Sequence, residues 1–431
     1  MVRILLYLIT AAGLTLWSQS LSAQPGMGYE IEKIEIRGNR KTNPDIITRS
    51  MPLQKGDRLT PDLVTASQDA LYRTRLFRTV HVASRPGSEE GKAVLVVYVD
   101  EKRFGDIGSS FEYTELDGFG IAADAYHVNL WGEGKWVGVE FKRGERLNSW
   151  GLSYTDPWVG KSKLSLHVRG GYSATDRDLY RSKDAEERGS YDLNRTGGSV
   201  GIGWPVGLAH RAILSYGIAD IEVAAYHAPE LPTHGGEYAA EIDSTLGRDP
   251  YSYFSLELQR IPSDGPPGSY SGIDFNLRID YSAGYLGSDD DFIRARVEAF
   301  RHWETFPAQI FTVGGRGGLM FGSPPFYERF YLDGPNQLRG FEQREIGPEG
   351  GMRFVSSEAR YCIPVRPVGR IYCFGEWAYV TRPVDGGDRS DSSQSFGVGV
   401  LLFNRVDISF GISTGTFIVK SHRFGGINVG L

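Results

Sequence analysis

Residues Ile273–Ser282 read IDFNLRIDYS, and the alternation in that stretch decides the fold. Phe275, Leu277, Ile279 and Tyr281 share one face, and Asp274, Asn276, Arg278 and Asp280 share the other. Successive side chains of a strand point to opposite faces, so a period of two marks a strand with one apolar and one polar side. The same grammar recurs in both directions along the chain. Leu164, Leu166 and Val168 alternate with Lys163, Ser165, His167 and Arg169. Val406, Ile408, Phe410 and Ile412 alternate with Asp407, Ser409, Gly411 and Ser413. A soluble sandwich would also alternate. Here the polar face is charged at several successive positions. Aromatic residues near strand ends (Trp131, Trp136, Trp158, Tyr172, Trp204) resemble the interfacial girdles of a membrane barrel. Residues 104–431 are therefore expected to form an all-β transmembrane barrel of about 16 antiparallel strands, an even number as bacterial barrels require. The alternation runs to the last residue, which places Phe424, Ile427, Val429 and Leu431 in the closing strand. That strand must pair with the first, near Phe104–Thr114, because an open edge in lipid leaves backbone groups unsatisfied.

Composition agrees with export. Arg3 precedes an apolar stretch from Ile4 to Trp17, followed by polar residues and Ala23 as a small residue at a cleavage point. Residues 1–23 read as a signal peptide, too short and too early to anchor a membrane helix. After Trp17 no run approaches the roughly 18–20 apolar residues of a membrane-spanning helix. Aromatics make up 12% of the chain, there are 55 glycines, and the mean hydropathy is −0.29. A β-barrel hides its apolar residues at every second position, so it reads as polar on average. The net charge is −6. This balance supplies no electrostatic footprint for nucleic acid.

Residues 28–102 follow a different pattern. Ile31, Ile34 and Ile36 alternate with charges up to Gly38-Asn39. Asn43 and Pro44 then open one helix, and Thr60 and Pro61 open a second with Leu63, Ala66, Ala70 and Leu71 at helical spacing. RTVHVASRP and KAVLVVYVDEK read as two strands separated by PGSEEG. The order is β-α-α-β-β in a small α+β module, large enough for a modest core.

The two segments together resemble the BamA/TamA outer-membrane assembly superfamily, the bacterial surface antigen barrels, with a single POTRA domain. The POTRA-like residues are Ile34, Ile36, Gly38 and Asn39, then Leu71, Phe77 and Val80, then Val99-Asp100-Glu101. The barrel-like residues are Asn129–Phe141 (NLWGEGKWVGVEF), Ser153–Trp158 (SYTDPW) and Pro324–Pro348. The resemblance implies that the loop between barrel strands 11 and 12 folds into the lumen and presents a V-R-G-F/Y motif to the inner wall. Leu338, Arg339, Gly340 and Phe341 occupy that motif, with Leu in place of Val. The implied wall partner is an F-x-D-x-G pattern, matched by Phe374, Glu376 and Ala378, with Glu for Asp and Ala for Gly.

The hairpin from Phe354 to Val380 turns near Pro364–Gly369. A turn centred on Pro367 sets Glu358 opposite Glu376 on the lumenal face. Two opposed carboxylates repel, and an inserted cation relieves them. Arg339 is the candidate cation, and Arg360 is the local alternative along its own strand.

The chain carries no H-E-x-x-H, G-x-S-x-G, P-loop or C-x-x-C motif. The G-x-G in Gly201–Gly207 reads as barrel strand, and the acidic run Ser288–Asp291 as a solvated loop. The expectation is a protein that is not an enzyme and has no cofactor or metal. It would be an outer-membrane barrel assembly or insertion factor, its POTRA domain in the periplasm. The expected partners are unfolded outer-membrane or secreted clients, the lipid bilayer and periplasmic accessory proteins. The client-binding strand edge is expected around Lys92–Lys102 or Arg78–Pro86. A polypeptide secretion pore of the two-partner type is the alternative; such pores carry two POTRA domains and a plug helix, whereas only residues 24–27 stand between the expected leader and the module. A passive channel needs neither POTRA domain nor inward loop.

The parity that opposes Glu358 and Glu376 separates the two cysteines, placing Cys362 on the lumenal and Cys373 on the lipid face. A disulfide requires Cβ atoms within about 4.5 Å. Denatured, unreduced protein is therefore expected to take up two maleimides per chain by intact mass; zero would overturn the assignment.

Overall fold

In a computed structural model, residues 28–424 are described apart from 115–116, 161, 179–189, 228–245, 261–271, 333–337, 340, 342–345, 348–349, 366–368, 385–386, 403–405 and 414–415. The expected leader and Gly340, Ile427, Val429 and Leu431 lie outside the described residues.

The N-terminal module runs β1 (Glu30–Arg37), α1 (Pro44–Ser50), α2 (Pro61–Arg73), β2 (Phe77–Pro86), β3 (Lys92–Glu101). Both helices start where their caps dictate. Asn43 accepts from the Asp45 N–H at 3.0 Å, and Thr60 accepts from the Leu63 N–H at 3.3 Å. Proline at each first turn costs nothing, because its missing N–H would have no intrahelical partner there. Ile31, Ile47, Leu53, Leu71, Phe77, Leu95 and Val97 are fully buried between helices and sheet. Each such side chain contributes about 1.5–3 kcal/mol of transfer free energy.

The sheet order is β1-β3-β2, with β1 parallel and β2 antiparallel to β3. This corrects one expectation. The strand around Lys92–Lys102 is central, so the edges are β1 and β2, and only the Arg78–Pro86 alternative remains an edge. The near-continuous burial of Ala93–Val97 is the mark of a strand covered on both faces.

Among the described residues sixteen further strands form one antiparallel sheet in sequence order. They are β4 (Gly105–Thr114), β5 (Gly118–Leu130), β6 (Lys135–Gly144), β7 (Leu147–Asp156), β8 (Ser165–Asp178), β9 (Ser190–Val206), β10 (His210–His227) and β11 (Gly247–Arg260). Then come β12 (Gly272–Ser282), β13 (Phe292–Phe306), β14 (Gln309–Gly322), β15 (Arg353–Val365), β16 (Gly369–Val384), β17 (Gly387–Leu402), β18 (Val406–Ser413) and β19 (Thr416–Phe424). Ile107, Phe111, Phe141, Ile218 and Val398 are more than half exposed on the outer face, while Asp280, Thr312, Ser395 and Ser409 are buried on the inner one. An apolar exterior over a polar interior is the inverse of a soluble protein and fits a lipid surround. β19 lies beside β4, and no backbone ladder joins them among the described residues. Phe424 is the last residue of β19. No described helix is long and apolar enough to cross a membrane.

The small module docks on one rim of the barrel. The Asn43 N–H donates to the Gly132 carbonyl at 2.8 Å, and Asn129 donates to the Thr42 hydroxyl at 2.9 Å. Arg49 donates to the Gly160 carbonyl at 2.8 Å. Gly132 sits at φ +75°, and a Cβ there would stand 2.2 Å from the Lys41 carbonyl oxygen, so the close approach requires glycine. Trp158, read from the sequence as a girdle residue, instead packs against the module's core with Val128. Its position near a strand end fits either role; only the docked module distinguishes them.

Glu101, at the end of β3, holds the docking turn. Its carboxylate accepts from the Lys41 N–H at 3.1 Å and the Thr42 N–H at 2.7 Å. Partial burial alone would raise its pKa, but these bonds from Thr42, Lys41 and Arg40 outweigh that and hold it below the ordinary value. A depressed folded pKa supplies stability that is present above the unfolded value of about 4.3 and is lost as pH falls through the folded value. Amide exchange of the 38–46 segment, corrected for intrinsic rates, should therefore stay flat down to about pH 4.5 and rise below it. Glu101→Gln should exchange fast at all pH values; a wild-type-like profile for that variant would refute the assignment.

Candidate functional site: the inward loop

Residues 323–352 connect β14 to β15, the eleventh and twelfth strands of the barrel. The connection does not leave the barrel as a solvated loop. It enters through a short 3-10 turn, Phe326–Glu328, and is closed at its base by a two-residue bridge between Phe330 and Gly351. The Phe330 N–H donates to Gly351 at 3.0 Å, and the return bond is 2.8 Å. Phe330 packs against Phe354 with the rings tilted by 52° and centroids 4.8 Å apart. It also covers Gly318 of β14, where a Cβ would stand 2.4 Å from the ring. Leu338, Phe341 and Ile346 complete an apolar cluster with Met320, Ala378 and Val380. An apolar cluster inside a polar-walled lumen gives the loop a core of its own, so its position is set by packing as well as by charge.

Arg339 projects from this cluster onto the wall. The β15–β16 register sets Glu358 directly opposite Glu376. The Arg339 guanidinium pairs with Glu376 through Nη1 and stands 3.6 Å from Glu358 Oε1. The Arg339 backbone N–H donates to the other Glu376 oxygen at 2.8 Å, and Ser395 on β17 donates to that same oxygen at 3.4 Å. The guanidinium also lies over the rings of Phe374 at 4.8 Å and Tyr372 at 5.5 Å. Arginine suits this position because its planar group can bind a carboxylate and stack on rings together. Glu358 is shared, with Arg360 Nε at 3.2 Å, nearer than Arg339. Glu376 is therefore the principal partner of Arg339, and Glu358 bridges it to Arg360.

Of the residues singled out in the sequence, Leu338, Arg339, Phe341, Glu358, Phe374 and Glu376 lie together at this wall; Phe424 stands apart at the seam. The longer Glu376 side chain reaches both the guanidinium and the backbone N–H of Arg339. Ala378 is fully buried under the loop's apolar cluster. Tyr372 and Ser395 escaped the sequence reading. Tyr372 shares the parity of Phe374 and Glu376, which was the available signal; Ser395 comes from the neighbouring strand and had none. Among the described residues no group of three or more histidine, cysteine, aspartate or glutamate side chains could hold a metal ion. Cys362 and Cys373 are free thiols.

A sixteen-stranded barrel with a docked β-α-α-β-β module and an arginine-pinned lumenal loop defines the POTRA-plus-barrel class of outer-membrane proteins, with the POTRA domain on the periplasmic side. The chain belongs to the Omp85 superfamily, whose domain it matches over residues 129–415, and residues 29–102 match the POTRA family of surface antigen variable number repeats. It is 26% identical over 322 residues to the outer membrane protein assembly factor BamA of Nitratidesulfovibrio vulgaris, covering 74% of this chain and 38% of that protein. It is 31% identical over 384 residues to the human sorting and assembly machinery component 50 homolog, covering 79% of this chain and 77% of that protein. The chain spans less than half the length of the bacterial BamA relatives it matches. The fold is shared with BamA from Haemophilus ducreyi lacking POTRA domains 1–3, at TM-score 0.60 and 19% identity over 92% of this chain and 83% of that one. CdiB from Escherichia coli gives the same TM-score at 13% identity, covering 92% and 75%.

Removing one member of a largely buried ion pair costs about 3–5 kcal/mol, because the partner charge stays buried. Arg339→Ala leaves Glu376 and Glu358 facing each other. The variant is expected to lose its compact, heat-modifiable gel mobility at a temperature at least 5 °C lower than the parent, and Arg339→Lys to recover part of that loss. Equal transition temperatures for parent and Arg339→Ala would show that the pair contributes nothing to the barrel.

Proposed function

We propose that the chain assists the folding and insertion of β-barrel proteins into the outer membrane. The observation that carries this reading is the combination of a POTRA sheet with β2 at its edge, docked at the rim, and an Omp85 barrel whose first and last strands lie side by side. β2 offers an edge to which an unfolded client strand can add beyond Val80, whose backbone N–H already donates to the Tyr72 hydroxyl at 3.1 Å, the β-augmentation mode of recognition. The seam between β4 and β19 offers a second edge, at membrane depth. A client strand templated there keeps its N–H and C=O groups paired while it enters lipid, which is the condition for any strand to cross a bilayer.

The work in this scheme comes from folding free energy and from exchange of one strand pairing for another. No reaction is catalysed and no cofactor is consumed. The partners are unfolded outer-membrane clients, the bilayer itself and periplasmic accessory proteins. The inward loop, with Leu338, Arg339, Gly340 and Phe341 as its motif and Glu358, Phe374 and Glu376 as its wall, keeps the barrel in register while the seam exchanges partners. Phe424 and the residues after it, including Ile427, Val429 and Leu431, supply the closing strand.

The fold shared with CdiB keeps a second reading in view, a pore that exports one polypeptide. Depletion followed by quantitative outer-membrane proteomics separates the two. Assembly predicts a broad fall in many barrel proteins; loss of a single secreted polypeptide with the barrels unchanged would sink the assembly reading.

A further inference from the structure

The inward loop has a second charged contact, remote from Arg339. Glu328, in the 3-10 turn at the loop's entry, is almost wholly buried, its side chain 2% exposed. Its Oε1 accepts from Arg195 Nη2 of β9 at 2.7 Å, and its Oε2 pairs with Arg294 Nη1 of β13. Arg294 turns its other guanidinium nitrogens to Asp280 of β12, with Nη2 at 3.1 Å and Nε at 3.2 Å. Asp280 is fully buried and also binds Arg278 at 2.7 Å and Arg296 at 3.3 Å. The wall thus presents four arginines and one fully buried carboxylate. Glu257 of β11 lines the same cavity beside Arg278, but the carboxylate bonded to both Arg195 and Arg294 is Glu328, and it comes from the loop.

Apolar and aromatic contacts flank the charge. Phe326 is fully buried against Tyr191 of β9, edge to face at 5.1 Å, and packs with Val223 of β10. Tyr327 donates its hydroxyl to Asp249 of β11. The Glu328 contacts lie on β9 and β13 and the Arg339 contacts on β15, β16 and β17, two strands apart at their nearest and eight at their furthest in a sheet of sixteen.

We infer that Glu328 is a positioning residue and a second, independent anchor of the inward loop. Its carboxylate fills an arginine socket on β9, β12 and β13, so that the loop is a strut tied to separate arcs of the lumen rather than a tongue held only at Arg339. The reason is electrostatic. Arg294, 12% exposed and flanked by three more arginines, is poorly solvated, so the socket stabilises whichever conformation brings a carboxylate to it. With the entry turn held there, the ten-residue run to Arg339 starts from a fixed point, and fewer of its conformations miss Glu376. How the loop is held is a property of the chain itself, whatever its clients.

The test uses the full chain in detergent micelles and trypsin, for which Arg329, Arg339 and Arg344 are native cleavage points inside the loop. Glu328→Gln keeps the shape and removes the charge. Cleavage within residues 323–352 should speed up about tenfold, with cuts confined to that segment and heat-modifiable mobility retained. Glu328→Asp should be cut at a rate within about threefold of the parent. After Arg344, a cut site that every variant keeps, Glu328→Gln combined with Arg339→Ala should be cut faster than either single variant. A Glu328→Gln chain cut no faster than the parent overturns the anchor. A double variant cut no faster than Arg339→Ala alone overturns its independence. If Glu328→Gln does not form a heat-modifiable barrel, Arg195→Ala removes one of the two cations and leaves Arg294; loop cleavage should still rise about threefold, and an unchanged rate refutes the inference.

Discussion

Lipid offers no hydrogen bonds, so every backbone N–H and C=O at membrane depth must find its partner within the protein. That constraint governs the rest of this chain. It selects a sheet of sixteen strands in simple sequence order, each paired to the next. It also turns the polar faces of those strands inward. The interior that results is wide and lined with charges, and a lumen of that kind cannot be filled by strand side chains alone. A thirty-residue connection between β14 and β15 folds back to occupy part of it.

Charge pairing decides where that connection settles. Strand register brings Glu358 and Glu376 face to face, and the same inner wall carries three arginines around Asp280, with Arg195 nearby on β9. Neither group is neutral by itself. The loop brings Arg339 to the acidic site and Glu328 to the basic one, so each wall receives the sign it lacks. Double complementarity of this sort specifies a single placement, because shifting the loop by a few residues would bury like charges together. Apolar contacts at Phe326, Phe330 and Leu338 contribute packing between the charged points.

At the other end of the molecule the POTRA domain and the barrel share a core rather than a simple tether. Val128, Trp158 and Phe104 join the apolar cluster of the small domain. Asn129 is buried and bonds both to Thr42 and, through its oxygen, to the Gly134 N–H at 2.7 Å. The NLWGEG stretch is thus a turn shaped to receive the domain, with Gly132 at the point of closest approach.

Period-two alternation by itself determined the strands and their two faces, because a pleated strand can bury only every second side chain on one side. Capping residues determined where α1 and α2 begin, since the first turn's N–H groups demand a local acceptor. Neighbour relations were not legible in the same way. A strand pattern states that a segment pairs but not with what, so the central place of β3 emerged only from its parallel pairing with β1. Trp158 could have served at a lipid interface until the docked domain covered it. Glu358 and Glu376 were within reach of sequence reasoning because one short hairpin links them. Glu328 and Arg195 were not, being 133 residues apart on elements whose meeting depends on the curvature of the whole sheet. Local rules set what each segment is. Only closure of the chain around its own lumen set which buried charges would answer one another.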